Sequence, residues 1–133
     1  MCLRRLWGTQ TMSRDRSVIL VVDDEEKIRK LLGEQLESDG YEVILAASGD
    51  DAFEILQGTP RIDLIVTDVR MPGVINGFDL IERALASRPD LRTIIMSGYT
   101  GESTQRTGLA DRFLQKPFTL GALETEVKSL LAA

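Results

Sequence analysis

The stretch LIVTDVRMPG, Leu64 to Gly73, is an apolar run that stops on one carboxylate, Asp68, just before a Pro-Gly turn. Leu64, Ile65 and Val66 suit a strand buried on both faces, as in a parallel sheet covered by helices. An acid delivered at the end of such a strand needs a partner or a cation to offset its desolvation.

The same alternation of strand and helix extends in both directions. Upstream, VILVV (Val18 to Val22) is a second buried run, followed by EEKIRKLLGEQLESDG, whose Ile28, Leu31, Leu32, Gln35 and Leu36 predict one helical face that Gly40 terminates. YEVILAA reads as a strand, and Ser48 with Asp51 resembles a capping box opening a helix through Phe53, Ile55 and Leu56 that Gly58 and Pro60 end. Downstream of the Pro-Gly turn, Phe78, Ile81 and Leu85 mark a helix that stops before Pro89. LRTIIM and DRFLQ supply two more strands, and Thr119 caps a last helix with Leu120, Leu123, Val127, Leu130 and Leu131 on one face. TGESTQRTGLA, between those two strands, is almost devoid of apolar residues before Leu109, so a fourth helix there is expected to be short or irregular. Five strands alternating with helices predict an α/β fold, a parallel sheet covered on both faces.

Composition bounds the function. The 133 residues fit one domain, with 43% hydrophobic and 28% charged residues as in an ordinary globular protein. A net charge of −5 argues against direct nucleic-acid binding, and no apolar run reaches membrane-spanning length. Residues 1–16 carry Arg4, Arg5, Arg14 and Arg16 without the apolar core of a signal peptide and read as a flexible leader, with Met12 an alternative start. The single cysteine, Cys2, fits a reducing cytoplasm. The chain has no histidine, which excludes a Ser-His-Asp triad, a His-bound metal and a phosphohistidine on this chain.

Ligands of open parallel sheets bind at the carboxyl ends of the strands. That rule gathers Asp23 and Asp24 after the first strand, Asp68 after the third, Ser97 after the fourth and Lys116 with Pro117 after the fifth. Three clustered carboxylates repel unless a cation neutralises them, and oxygen-only ligands favour Mg²⁺. Ser97 and Lys116 can donate to phosphoryl oxygens, and Asp68 is the natural nucleophile for an aspartyl phosphate. Each part has an ordinary structural reading as well: DDE as a helix N-terminus, Ser97-Gly98 as a turn, Lys116 as a solvated lysine. Their joint placement at successive strand ends favours a site.

The blocks ILVVDDEEKIRKLL, LIVTDVRMPG, IIMSGYT and FLQKPF resemble the signature blocks of response regulator receiver domains, the phosphoacceptor modules of two-component signalling. The likeness covers roughly residues 17 to 131, with residues 17–133 taken as the domain. It implies a flavodoxin-like (βα)5 three-layer sandwich with strand order 2-1-3-4-5. It further implies that Asp68 is phosphorylated, that Mg²⁺ is held by Asp23, Asp24, Asp68 and the Arg70 backbone carbonyl, and that Ser97 and Lys116 engage the phosphoryl group. Phe113 corresponds to the family's switch aromatic, Pro117 to the proline that follows a cis peptide, and Arg70 and Tyr99 to positions that tune phosphoryl lifetime. The phosphodonor is expected to be a histidine kinase or phosphotransfer protein. Output is expected through protein contacts, from a monomer or weak dimer, without a DNA-binding or enzymatic effector.

The likeness fits both free-standing receivers and those of hybrid histidine kinases. The loop GVING is one residue longer than the family's commonest form, and the segment from Ser97 to Lys116 is shorter than usual. Two rivals remain: a docking module that works without phosphorylation, and an aspartyl-phosphate phosphatase. The latter typically has a second acid two residues after its nucleophile, where this chain has Arg70. The domain is expected to be no conventional enzyme, although it supplies the groups for its own phosphorylation and hydrolysis.

Overall fold

The computed structural model describes residues 16–58, 61–98 and 109–132. Its elements in chain order are β1 (Val18–Val22), α1 (Glu26–Ser38), β2 (Glu42–Ala46), α2 (Gly49–Gly58), β3 (Leu64–Asp68), α3 (Gly77–Ser87), β4 (Arg92–Ser97), β5 (Arg112–Gln115) and α4 (Leu120–Ala132). The strands form one parallel sheet in the order β2-β1-β3-β4-β5, as the sequence resemblance implied. The helix expected between β4 and β5 falls on residues 99–108, outside the described residues, as do Pro60, Tyr99 and nearly all of the leader.

Strand alternation divides the core in two. Val18, Leu20 and Val22 of β1 and Ile65 of β3 pack with Ala52 and Leu56 of α2 and Leu80 and Ala84 of α3. Ile19 and Val21 of β1, Leu64 and Val66 of β3, and Ile94 and Met96 of β4 face Leu32 and Leu36 of α1 and Leu123, Val127 and Leu130 of α4. Side chains at successive strand positions point to opposite faces, so a continuous apolar run feeds both layers at once.

The predicted caps are present in substance. The Ser48 hydroxyl accepts the Asp51 N–H at 3.1 Å, and the Thr119 hydroxyl accepts that of Ala122 at 3.0 Å. A reciprocal capping box, not anticipated from the sequence, opens α3: Asn76 accepts the Asp79 N–H, and the Asp79 carboxylate accepts that of Asn76. The sequence also misplaced one residue. Leu31, expected on the inner face of α1, is 49% exposed, because the buried stripe runs through Leu32, Gly33 and Leu36. Gly33 lets the helix approach Leu45 of β2, where a Cβ would lie 3.0 Å from Leu45 Cδ2. The helix is thereby turned toward Gly33, and Leu31 falls on its outer flank.

Leu32→Ala is therefore expected to lower unfolding stability by about 2–4 kcal/mol, as for buried leucines. Leu31→Ala should change it by less than about 0.5 kcal/mol, as at surface positions. Urea denaturation midpoints of the two variants provide the comparison.

Candidate functional site

The carboxyl ends of β1, β3, β4 and β5 lie on one edge of the sheet and bring the polar residues together. Carboxylate oxygens of Asp23, Asp24 and Asp68 all fall within 4.8 Å of one another. The three acids differ in environment: Asp23 is fully buried, Asp68 half-buried and Asp24 exposed.

Asp23 is held at every polar atom. Its N–H donates to the Ala46 carbonyl at 3.2 Å, and its Oδ1 accepts the Glu25 N–H at 2.9 Å. Its carbonyl accepts from Arg29 Nη1 at 2.8 Å, and its Oδ2 from Lys116 Nζ at 3.2 Å. A buried carboxylate needs this density of donors, since an unpaired one would forfeit its hydration without return. The Asp68 side chain bridges two groups, Oδ1 to the Val69 N–H at 2.8 Å and Oδ2 to Lys116 Nζ at 3.3 Å. Lys116 thus donates to both acids from the residue after β5, and its own N–H donates to the Ser97 carbonyl at 2.7 Å. The Lys116–Pro117 peptide bond is cis, as the resemblance implied.

The electrostatics follow from burial. Desolvation raises the Asp68 pKa above its ordinary value, and Asp23 adds to the rise, although the Lys116 ammonium and the Val69 N–H pull it down. Burial opposes the charge on Lys116, but the carboxylates of Asp68 and Asp23 more than offset this and raise its pKa.

Ser97 closes β4 at 1% exposure, one residue beyond Met96, which is paired with Asp68 across the sheet. Phe113 of β5 is half-buried against Val69, Phe78, Ile81 and Ile95. Arg70 is exposed in the loop after β3, and Pro117 is exposed beyond Lys116. Sequence reasoning missed Arg29 and Asp50. Arg29 carries no signal in the chain, because an arginine on an exposed helical turn looks like any solvated cation. The Asp50 carboxylate reaches the loop after β3, a contact that α2's own pattern does not reveal.

The donor set suits a hard divalent cation: three carboxylates of graded exposure, no sulfur or imidazole, and an open side at Asp24.

Comparison with known proteins places this arrangement in context. A family model described as the response regulator receiver domain matches residues 19–128. Among curated relatives, the sensor kinase CckA of Brucella abortus (strain 2308) is 38% identical over 119 residues, covering 86% of this chain and 12% of the kinase. A probable transcriptional regulator, ycf27, of Cyanophora paradoxa is 37% identical over 123 residues, covering 90% of this chain and 50% of that protein. The chain thus spans half or less of the length of these relatives. The crystal structure of the response regulator TrrA from Thermotoga maritima, in complex with Mg²⁺-BeF, superposes with a TM-score of 0.78 at 33% identity, covering 86% of this chain and 98% of that one.

The raised Asp68 pKa has a consequence for stability. Its folded value lies above the unfolded one, so its contribution is full below the ordinary 3.8 and is lost as pH rises through the folded value. At neutral pH the ionised side chain therefore costs stability, and Asp68→Asn should melt at a higher temperature than the wild type. Calorimetry in metal-free buffer from neutral pH downward should find this advantage narrowing toward the ordinary carboxylate range.

Proposed function

The chain belongs to the response regulator receiver domain family of two-component systems, and from that premise we propose that it is a phosphoacceptor switch whose acceptor is Asp68. The observation that carries the reading is the convergence at one sheet edge. Asp23, Asp24 and Asp68 share a space of 4.8 Å, and Lys116 Nζ is bonded to both Asp23 and Asp68.

The donor is a phosphohistidine on a histidine kinase or phosphotransfer protein, since this chain has no histidine of its own. An Asp68 carboxylate oxygen attacks the phosphorus, the P–N bond breaks, and the imidazole leaves with the electron pair and takes up a proton. The product is a mixed acyl phosphate on Asp68. Asp23, Asp24 and Asp68, with the Arg70 carbonyl, would hold Mg²⁺, which supplies positive charge against the phosphoryl oxygens when bound.

The chain's own residues do the rest. The Val69 N–H fixes one Asp68 oxygen, leaving the other as the nucleophile beside Lys116. Lys116 donates to a phosphoryl oxygen as its contact with the free carboxylate is lost, and the Ser97 hydroxyl turns toward the same group. The loops after β3 and β4 then shift, and Phe113 follows from its half-buried position into the space that opens. The altered surface is read by a protein partner. The domain supplies groups for its own phosphorylation and hydrolysis and itself carries the transferred phosphoryl group, so it is no conventional enzyme. Among the described residues no helix is long and apolar enough to cross a membrane. A cytoplasmic location belongs to the phosphoacceptor reading, because the kinase or phosphotransfer donor it requires would act there.

Incubation with Mg²⁺ and a small phosphodonor such as acetyl phosphate is expected to add one phosphoryl group to the wild type and none to Asp68→Asn, as read by intact mass. No label on either, where another receiver labels, would favour a docking module that works without phosphorylation.

The resemblance to the family implies that Arg70 and Tyr99 limit water access at the phosphoryl group, Tyr99 itself lying outside the described residues. Their joint replacement by alanine should shorten the phosphoryl lifetime, measured by loss of label after donor removal. An unchanged lifetime counts against the assignment.

A further inference from the structure

The loop between β3 and α3, which the sequence resemblance marks as one residue longer than the family's commonest form, is held by an acid from outside the site. Asp50, in the first turn of α2, does not serve its own helix end alone. Its Oδ1 accepts the Ile75 N–H at 3.0 Å and its Oδ2 accepts the Val74 N–H at 3.4 Å, across 25 and 24 residues of chain. Both are charge-assisted bonds to backbone donors.

The loop is fitted to this carboxylate. Gly73 has φ +103°, and a Cβ there would stand 2.7 Å from Asp50 Oδ2, so the turn admits the acid only because no side chain is present. Ile75 is buried, whereas Val74 beside it is 83% exposed, so the loop turns its apolar side chain inward at a residue whose N–H Asp50 holds. The far end of the loop reaches the site itself. The Gly77 N–H donates to the Val69 carbonyl at 2.9 Å, and a Cβ on Gly77 would lie 2.2 Å from the Asp68 carbonyl oxygen.

We propose that Asp50 is a positioning residue for the phosphoryl site: by pinning Val74 and Ile75 to α2, it fixes the backbone that carries Asp68 and Arg70. The assignment rests on the phosphoacceptor reading for its role in the reaction, and on the metal-holding acids for its effect on Mg²⁺. Loss of the carboxylate frees the loop, widens the range of positions open to the Asp68 and Arg70 oxygens, and weakens cation binding before any phosphoryl group arrives. A direct partner of a metal ligand typically contributes about 10–100-fold in metal affinity. Asp50 acts one layer further out, so about fivefold is expected on the same scale.

The test uses the full chain as wild type, Asp50→Ala and Asp50→Asn, the last retaining one acceptor oxygen. Three quantities are measured: amide hydrogen exchange at Val74 and Ile75, the Mg²⁺ dissociation constant of the unphosphorylated protein, and the rate of labelling by acetyl phosphate across Mg²⁺ concentrations. Asp50→Ala is expected to speed exchange at both amides and raise the Mg²⁺ dissociation constant about fivefold, with labelling recovering toward the wild-type rate at saturating Mg²⁺. Asp50→Asn should fall between the two. Faster exchange with an unchanged Mg²⁺ constant would reduce Asp50 to a loop anchor and overturn the proposal, as would unchanged exchange or a wild type that binds no Mg²⁺. A wild type that binds Mg²⁺ but takes no label would sink the phosphoacceptor reading instead, leaving Asp50 to be judged by the Mg²⁺ constants.

Discussion

A single ammonium group makes this site possible. Lys116 Nζ lies 3.2 Å from Asp23 Oδ2 and 3.3 Å from Asp68 Oδ2, one acid fully buried and the other half-buried. Without it, neither carboxylate would have a cation bonded to its oxygens at a partly desolvated edge, since Arg29 reaches only the Asp23 carbonyl, and an unpaired buried charge costs several kcal/mol in protein interiors. With it, the acids stay within 4.8 Å of one another, and the ammonium pulls the Asp68 pKa down against the effect of burial. The pair remains electrostatically tense, as the raised Asp68 pKa records, because burial and Asp23 outweigh the lysine.

The rest of the fold serves to hold these groups in place. Parallel strands end together on one side, so four of the five strands, β1, β3, β4 and β5, deliver Asp23, Asp68, Ser97 and Lys116 to the same edge. Helix layers on both faces bury the central strands β1, β3 and β4: α2 and α3 on one side, α1 and α4 on the other. The third cluster, Val69, Phe78, Ile81 and Ile95 with Phe113 against it, joins the site edge to the partly buried end of the sheet. This packing begins at Val69, the residue after Asp68, and close-packed interiors pass strain on to their neighbours.

The β3–α3 loop occupies a middle ground between scaffold and site. Its apolar member Ile75 is buried, its tip Val74 is exposed, and its backbone is bonded to α2 at one end and to Val69 at the other. An insertion in such a loop is ordinarily absorbed by the surface with little consequence. Here the contacts of Asp50 give the loop a defined path.

Local pattern in the chain decided much of this. The apolar runs of β1 and β3, the Ser48 and Thr119 caps and the inner faces of α3 and α4 were legible because each depends on neighbours within a few residues. The acids, hydroxyl and lysine at strand ends were legible too, since a strand's end is visible where its apolar run stops. Leu31 was misread because helical periodicity gives a face but not its rotation, and Gly33 against Leu45 sets that rotation. Arg29 on the Asp23 carbonyl, Asp50 on Val74 and Ile75, and Lys116 bridging acids 93 and 48 residues away were decided only by tertiary structure. Such contacts depend on the order and register of strands in the sheet. A hydrophobic period determines that a strand exists and which way its side chains alternate, but not which distant strand lies beside it.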